Sequence, residues 1–568
     1  MSRIFCRALA AWAAALLLAV PVGALAATVT LLHVNDSHSH LDAVGPKDRH
    51  LDGTLGGLSK AATVIAAQKA ANPSALFVHG GDFFQGDSYF NVTYGVAELQ
   101  LLASLGLDAM VVGNHELHLG PELFTAVLAQ AFPGGGGPPL LAANFDLSGF
   151  PPLQSFVTSD VVKTVDGVKV GLFGLTTPYD GANQPDPVII RDDFAGIASD
   201  EVQHLRVDLG AEVVILLSHL GMEIDQQLAA SVPGLDAIIG AHDHLALTQA
   251  VMVAGPGGKQ VPIVSAGKYY QGVGKLSLSV AGGQVSLAGY ELIPVNGNVP
   301  RLPPVAAVVG QLQSLVNATF GTEMFHTAVA YALLDVSESP GPVACLRDTG
   351  VGNLVTDALR FAGGTDLGIE VDGFLPDGIA RGFVVGNDLF RTVGDGFDPA
   401  SVAAGQPSVG YPLFTFDITG EQLLQALATT VAIGGDFFVE ISGMTYTFDS
   451  RKAPFEQLVS AFVHGKPVDP ARTYSATVSL GVLAGMEPLG IQVTNVRPLG
   501  RDQFAAVRDW AARLRILVYT QQGRIRDRGI SCWSFKFAPA MLGAARVSAS
   551  PSSVAQPARP ARAMRPRW

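Results

Sequence analysis

Five short clusters of metal-binding residue types, most of them set directly after an apolar run, constrain this chain more than any other feature. In order they are Asp36-Ser37-His38, Gly81-Asp82, Gly113-Asn114-His115-Glu116, Ser218-His219 and Gly240-Ala241-His242-Asp243-His244. Residues 29–34 run into the first, 75–78 into the second, 213–217 into the fourth and 237–239 into the fifth. Short, often β-branched runs of this kind read as buried strands. Strand ends in a layered α/β sheet converge on one rim, so ligands far apart in sequence can meet there. The pattern predicts an α/β fold with a metal site built from strand ends.

Two carboxylates, one amide oxygen and four imidazoles suit divalent ions of the Zn, Mn, Co or Fe type better than Mg or Ca, which prefer all-oxygen shells. The expected division puts Asp36, His38 and His244 on one ion and Asn114, His219 and His242 on a second, with Asp82 bridging. A shared carboxylate can hold two ions about 3.5–4 Å apart, the spacing that serves a phosphoryl displacement. His115, beside a ligand but not assigned as one, is the candidate to touch a phosphoryl oxygen or protonate a leaving alkoxide. A lone histidine is more often a packed or surface imidazole than a ligand. Strand-end placement and a chemically consistent set outweigh that default for these residues. His33 falls inside the first strand, and His79 stands where it can hydrogen-bond behind the ligands. His40, His50, His204, His326 and His464 are expected at the surface.

On the stretches LLHVNDSHSHLD, GGLSKAATVI, HGGDFFQG, VVGNHELHLG, LLSHLG, IIGAHDHL and VPIVSAGKYYQGVGKLSLSV, the first half resembles the bacterial periplasmic 5'-nucleotidase family. VGNLVTDALRFA, FTFDITGEQLLQAL and FFVEISGMTYTFD carry the resemblance into the second half. It implies a calcineurin-like metallophosphatase sandwich of α/β-β/α layers followed by a second α/β domain. It also implies two divalent metal ions and hydrolysis of phosphate esters, typically nucleotides, in nucleotide catabolism. Three departures stand out. Where the family has Asp three residues after the catalytic histidine, this chain has His118, which cannot supply the negative charge that holds His115 protonated and oriented. The family's substrate-gripping arginine has two candidates here, Arg381 and Arg391. Of two base-stacking aromatics, Tyr411 or Phe414 stands for the first, and residues 483–490 offer none for the second. Loss of one stacking face forfeits about 1–3 kcal/mol per base.

Length divides the 568 residues into more than one core. Residues 1–26 read as a signal peptide: Arg3 and Arg7, an apolar run, then Ala24-Leu25-Ala26, with cleavage near Ala26 and a periplasmic or secreted product. Residues 27–298 form the metallophosphatase domain. Residues 299–326 form a proline-marked linker with a helix, 327–537 the C-terminal substrate domain and 538–568 a disordered tail. Cys345 and Cys532 remain after the signal; a single disulfide between them is allowed, and two buried free thiols are the other reading. A net charge of −13 without a basic stripe excludes a nucleic-acid polymer as partner. The expectation is a monomeric enzyme acting on a small-molecule phosphate ester, with no transmembrane segment. A phosphodiesterase or non-nucleotide phosphomonoesterase is the alternative enzyme, and a metal-bound binding protein without turnover the alternative class.

Overall fold

The computed structural model describes residues 27–178 and 187–532; the expected signal segment and the tail from 538 lie outside the described residues. Two sheets face each other in the first domain. One runs in the order Gln284–Pro294, Gly272–Ala281, Ala27–Val34, Leu76–His79, Ala109–Val111, Leu140–Leu141, Val157–Thr158. The other runs Val251–Ala254, Gln260–Val264, Ala237–Gly240, Val213–His219, Val168–Thr176, Asp160–Val165. The strands that carry ligands pair in parallel within each sheet, and the antiparallel strands lie toward the edges.

Side-chain alternation sorts each strand between two cores. Val29 and Leu31 of the first strand join Val78, Leu172, Ile215, Leu217 and Ile239 between the sheets. Leu32 and Val34 face outward onto helices Leu58–Ala71, Val96–Ser104 and Pro121–Ala131. Helices Phe194–Gln203 and Met222–Ser231 cover the other sheet. The result is the α/β-β/α sandwich that two-faced apolar strands require.

Helix Pro303–Phe320 follows the prolines, with Pro at its first position, where a missing N–H costs nothing. Val305, Val309 and Val316 are buried, in one apolar cluster with residues of both domains. Its last ring, Phe320, meets Phe390 and Phe504 of the second domain at 5.3 and 5.4 Å. In that domain a mixed sheet runs Val439–Ser442, Leu367–Val371, Thr473–Ser479, Pro412–Thr419, Thr494–Asp502, packed against helices Gly350–Gly363 and Gly420–Ile433. A four-stranded and a three-stranded sheet complete it. Cys345 and Cys532 form a disulfide across 187 residues. Among the described residues no helix is long and apolar enough to cross a membrane.

Candidate metal centre

The five motifs open from the carboxyl ends of five strands, two of them on the second sheet, and their side chains meet at one rim. Donor atoms of Asp36, His38 and His244 lie within 4.8 Å of one another, as do those of Asp82, His219 and His242. Asp82 joins the two groups: its Oδ2 is 3.0 Å from His219 Nε2 and 3.9 Å from His38 Nε2. Asn114 Oδ1 stands 3.0 Å from the same His219 nitrogen. His38 Nε2 and His244 Nε2 face each other at 3.1 Å. The seven side chains singled out in the sequence thus come together, in the two groups expected and around the carboxylate expected to be shared.

The surroundings set the protons so that these atoms can take a cation. His38 Nδ1 is 3.1 Å from the Phe84 carbonyl and His219 Nδ1 2.7 Å from the Gly80 carbonyl. A carbonyl only accepts, so each ring carries a proton on Nδ1 and aims Nε2 inward, the nitrogen that would give up any proton of its own to a cation. His79 accepts from the Gly81 N–H and reaches Ser37 Oγ at 3.1 Å, which is the supporting position expected of it. Burial pushes the Asp36 carboxyl up to about 7. Burial also works against a charged His219, but the Asp82 carboxylate overrides it and carries the imidazole up to about 10. Packed negative charge with imidazoles around it, in a site this dry, is the electrostatic state that a divalent cation relieves. The donor set therefore fits divalent metal.

Backbone strain collects at the same place. Among the described residues sixteen non-glycine residues have positive φ, and nine of them are Asp36, His38, Ser39, Asp82, Gln85, His242, His244, Tyr269 and Tyr270. Left-handed backbone of this kind costs on the order of 1–3 kcal/mol per residue and persists where the surroundings over-determine it. Glu116 is one such determinant, although the sequence pattern assigns it no role. Its buried carboxylate accepts the N–H groups of Gly113, Asp82, Phe83 and Phe84, pinning two ligand loops together. Asn35 does the same for a third loop, donating to Asp36 Oδ2 at 2.6 Å and accepting from Ala266 N–H.

His115 lies beside the ligands, its backbone N–H on Asp82 Oδ1 and its ring 4.7 Å from that of His38. The His115 and His118 rings lie 4.2 Å apart. Gln85 links them: its Oε1 is 3.0 Å from His115 Nδ1 and 2.8 Å from His118 Nδ1. An amide oxygen only accepts, so both rings carry Nδ1–H, and His115 is oriented by a neutral group. Gln85 was not singled out; the signal available was HGGDFFQG, where it follows Asp82 by three residues.

Four further expectations fall out differently. His40 is fully buried, not at the surface: the positive-φ turn of residues 36–39 folds it under, with its ring stacked on Tyr269 at 3.6 Å. Arg391 is buried with its charge committed to Asp87 of the first domain at 2.7 Å and to Asp388 at 3.5 Å. Arg381 sits next to strand Gly382–Val385, its backbone N–H bonded to Asp335 Oδ1 at 2.8 Å. Tyr411 is buried between Phe374 and Phe397, at 5.3 and 5.4 Å, while Phe414 is half-buried in its strand. The half-buried rings beside Tyr411 are therefore Phe374 and Phe397, neither of which the sequence pattern distinguished.

A convergent His/Asp/Asn donor set at the strand ends of a four-layer sandwich defines a metallophosphatase, a metal-dependent phosphoester hydrolase. Residues 29–246 match the calcineurin-like phosphoesterase family and residues 332–488 the 5'-nucleotidase C-terminal domain. With both domains present in that order, the chain belongs to the 5'-nucleotidase family. It is 25% identical over 464 residues to the trifunctional nucleotide phosphoesterase protein YfkN of Bacillus subtilis, covering 75% of this chain and 29% of that protein. It is 25% identical over 558 residues to the 5'-nucleotidase of Mus musculus, covering 90% and 92% of the two chains. The crystal structure of the 5'-nucleotidase precursor from Thermus thermophilus superposes with a TM-score of 0.73 at 25% identity, over 88% of this chain and 99% of that one.

Proposed function

We propose that the chain is an exported hydrolase of nucleotide phosphate esters that works with two divalent ions. Asp36, His38 and His244 would hold one ion and Asn114, His219 and His242 the other, with Asp82 as the carboxylate that both would share. The observation that carries this reading is the Asp82 carboxylate, set between His219 Nε2 at 3.0 Å and His38 Nε2 at 3.9 Å. Divalent ions held there supply Lewis-acid polarisation of a phosphoryl oxygen and make water acidic enough to deprotonate near neutral pH.

The chain's own groups do the rest. Nδ1 of His38 and of His219 stay bonded to carbonyl oxygens and fix both rings through turnover. Glu116 keeps the loops of Asp82 and Asn114 in register, so the donor atoms need no rearrangement when substrate arrives. His115, held through Nδ1 by Gln85, presents Nε2 toward the reacting phosphate; only the form that has also taken a proton at Nε2 can pass that proton to the leaving oxygen, and it returns to the neutral Nδ1–H ring as it does so. The cystine supports an oxidising compartment, as export requires.

Tyr411 in a buried position favours a second reading, a phosphodiesterase or phosphomonoesterase of low base preference, since a ring only 7% exposed offers little surface to a nucleobase. The deciding experiment measures metal content of the purified protein, with hydrolysis of 5'-AMP and bis-p-nitrophenyl phosphate with and without Mn. Two ions per chain and faster 5'-AMP turnover support the nucleotidase; faster diester turnover supports the second reading. A protein that takes up no metal overturns both.

A further inference from the structure

One cation at the rim takes no part in holding metal or in orienting His115. Lys268 is built into two ligand loops by the residues on either side of it. The Gly267 N–H donates to the Leu245 carbonyl, next to His244, and the Gly267 carbonyl accepts from Asn35 Nδ2, the amide that also donates to Asp36. The Tyr269 N–H donates to the Asp36 carbonyl at 2.9 Å. Gly267, Tyr269 and Tyr270 have φ of 86°, 57° and 58°, left-handed backbone that these ties sustain and that turns the chain at Lys268. The side chain leaves the buried cluster: Nζ lies 4.4 Å from the centre of the Tyr269 ring, with 22% of the side chain exposed. That ring stands 6.0 Å from the His38 ring and 6.2 Å from the His244 ring. Burial holds both imidazoles below their usual range, and the Lys268 charge pushes the same way, so the ammonium is within electrostatic reach of the ligands.

We propose that Lys268 binds a phosphoryl oxygen of the substrate and biases the site toward phosphomonoesters, an inference that rests on the hydrolase reading above. The ammonium is loosely held. Of its three N–H donors one meets Tyr269 Oη at 3.2 Å, and the Asp377 carboxylate of the second domain stands at 3.9 Å, outside hydrogen-bond reach. An ion pair at that distance, with the lysine part-exposed, does little to hold the domains together. Arg391, by contrast, is buried and committed to Asp87 and Asp388. Charge then selects the ligand. Asp377 repels a phosphate that enters the rim, and the Lys268 charge offsets it. A phosphomonoester carries close to two negative charges at pH 7 and a diester one, so a fixed ammonium favours the first. A compact ammonium on a flexible four-carbon stem can also follow a phosphoryl group as the ester bond breaks.

Calorimetric titration of the Mn-loaded protein with inorganic phosphate tests the contact without turnover. Lys268→Met should weaken phosphate binding by roughly tenfold to a hundredfold, the range of a hydrogen bond to a charged group, with metal content unchanged. Lys268→Arg, which keeps the charge, should retain most of the affinity. In kinetics Lys268→Met should raise KM for p-nitrophenyl phosphate by about tenfold or more and for bis-p-nitrophenyl phosphate by no more than about threefold, since the lost contact is one of binding. Asp377→Asn separates this role from a pairing of the two domains: it should leave phosphate binding equal or tighter. Phosphate affinity that Lys268→Met does not alter, an equal loss on both esters, or a loss in Asp377→Asn as large as in Lys268→Met overturns the proposal. A parent protein that binds phosphate through Lys268 and hydrolyses neither ester upholds the contact and removes the hydrolase reading instead.

Discussion

Gly394 of the second domain approaches Gly86 of the Asp82 loop so closely that a methyl group on Gly394 would clash with the Gly86 carbonyl oxygen. Gly86 follows Gln85, whose Nε2 lies 3.5 Å from the carbonyl of Asp395. The second domain therefore rests against the loop that orients His115. Gly394→Ala forces the two apart, and a displacement near 1 Å can cost about 100-fold when it disturbs a reacting geometry. The expected result is kcat/KM on 5'-AMP down by roughly tenfold to a hundredfold with metal content unchanged. Unchanged kinetics would mean that the approach of the domains plays no part in turnover.

Gln85 gives His115 an orientation but no charge. Placing a carboxylate beside a catalytic imidazole favours its protonated form. His118→Asp should therefore raise kcat on 5'-AMP, whose alkoxide leaving group needs the proton, by up to about 100-fold, the lower end of what acid catalysis contributes. Gln85→Ala removes the acceptor shared by both rings and should lower kcat by a similar factor while KM and metal content hold. If His118→Asp leaves the rate unaltered, protonation of His115 is not limiting.

Metal removal should be visible in stability. The donor groups come from five strand ends in two sheets, and ions that bind only the folded arrangement stabilise it by about 4 kcal/mol at a thousandfold excess over Kd. Chelation should lower Tm by roughly 10 °C at about 2–4 °C per kcal/mol. Asp82→Asn, which removes the shared charge, should reproduce most of that loss before any chelator is added. A chelator that strips metal without moving Tm would show that the loops are held by Glu116 and Asn35 alone.

How much of this was legible in the sequence follows from the distance over which each feature is written. The sandwich and the convergence of the seven candidate side chains could be read because each of them sits within a few residues of the strand that positions it. The helix after Pro303 was equally local. His40 was misread because its burial is imposed from elsewhere, by Tyr269 stacked on it. The pairing of Gln85 with His115 and His118 spans 30 and 33 residues, and that of Arg391 with Asp87 spans 304. No periodicity encodes such contacts. An arginine in a motif looks the same from sequence whether it faces a phosphate or a buried aspartate. Tyr411 shows the same limit: its neighbours Phe374 and Phe397 decide whether it is open to a base.

The Arg391–Asp87 pair carries the last prediction. Both side chains are almost completely buried, and Asp87 is also held by Asn387 Nδ2 at 3.1 Å, so the pair joins the domains beside the Asp82 loop. Removing one partner of a buried pair costs about 3–5 kcal/mol because the other charge is left uncompensated. Arg391→Ala should destabilise by about that much at pH 7, and Arg391→Met with Asp87→Asn should recover most of it, since no buried charge remains. The pH dependence has a definite sign. Burial pushes the Asp87 carboxyl up and the Arg391 guanidinium pulls it back, so the variant holds it higher than the parent does. A folded carboxyl that titrates above its unfolded value, near 4, binds a proton more readily when folded, and stability falls as pH rises above about 4. The deficit of Arg391→Ala should thus be small at pH 4 and grow toward pH 7, as urea unfolding at the two pH values would measure. A deficit independent of pH would assign the loss to packing of the arginine stem and not to the stranded charge.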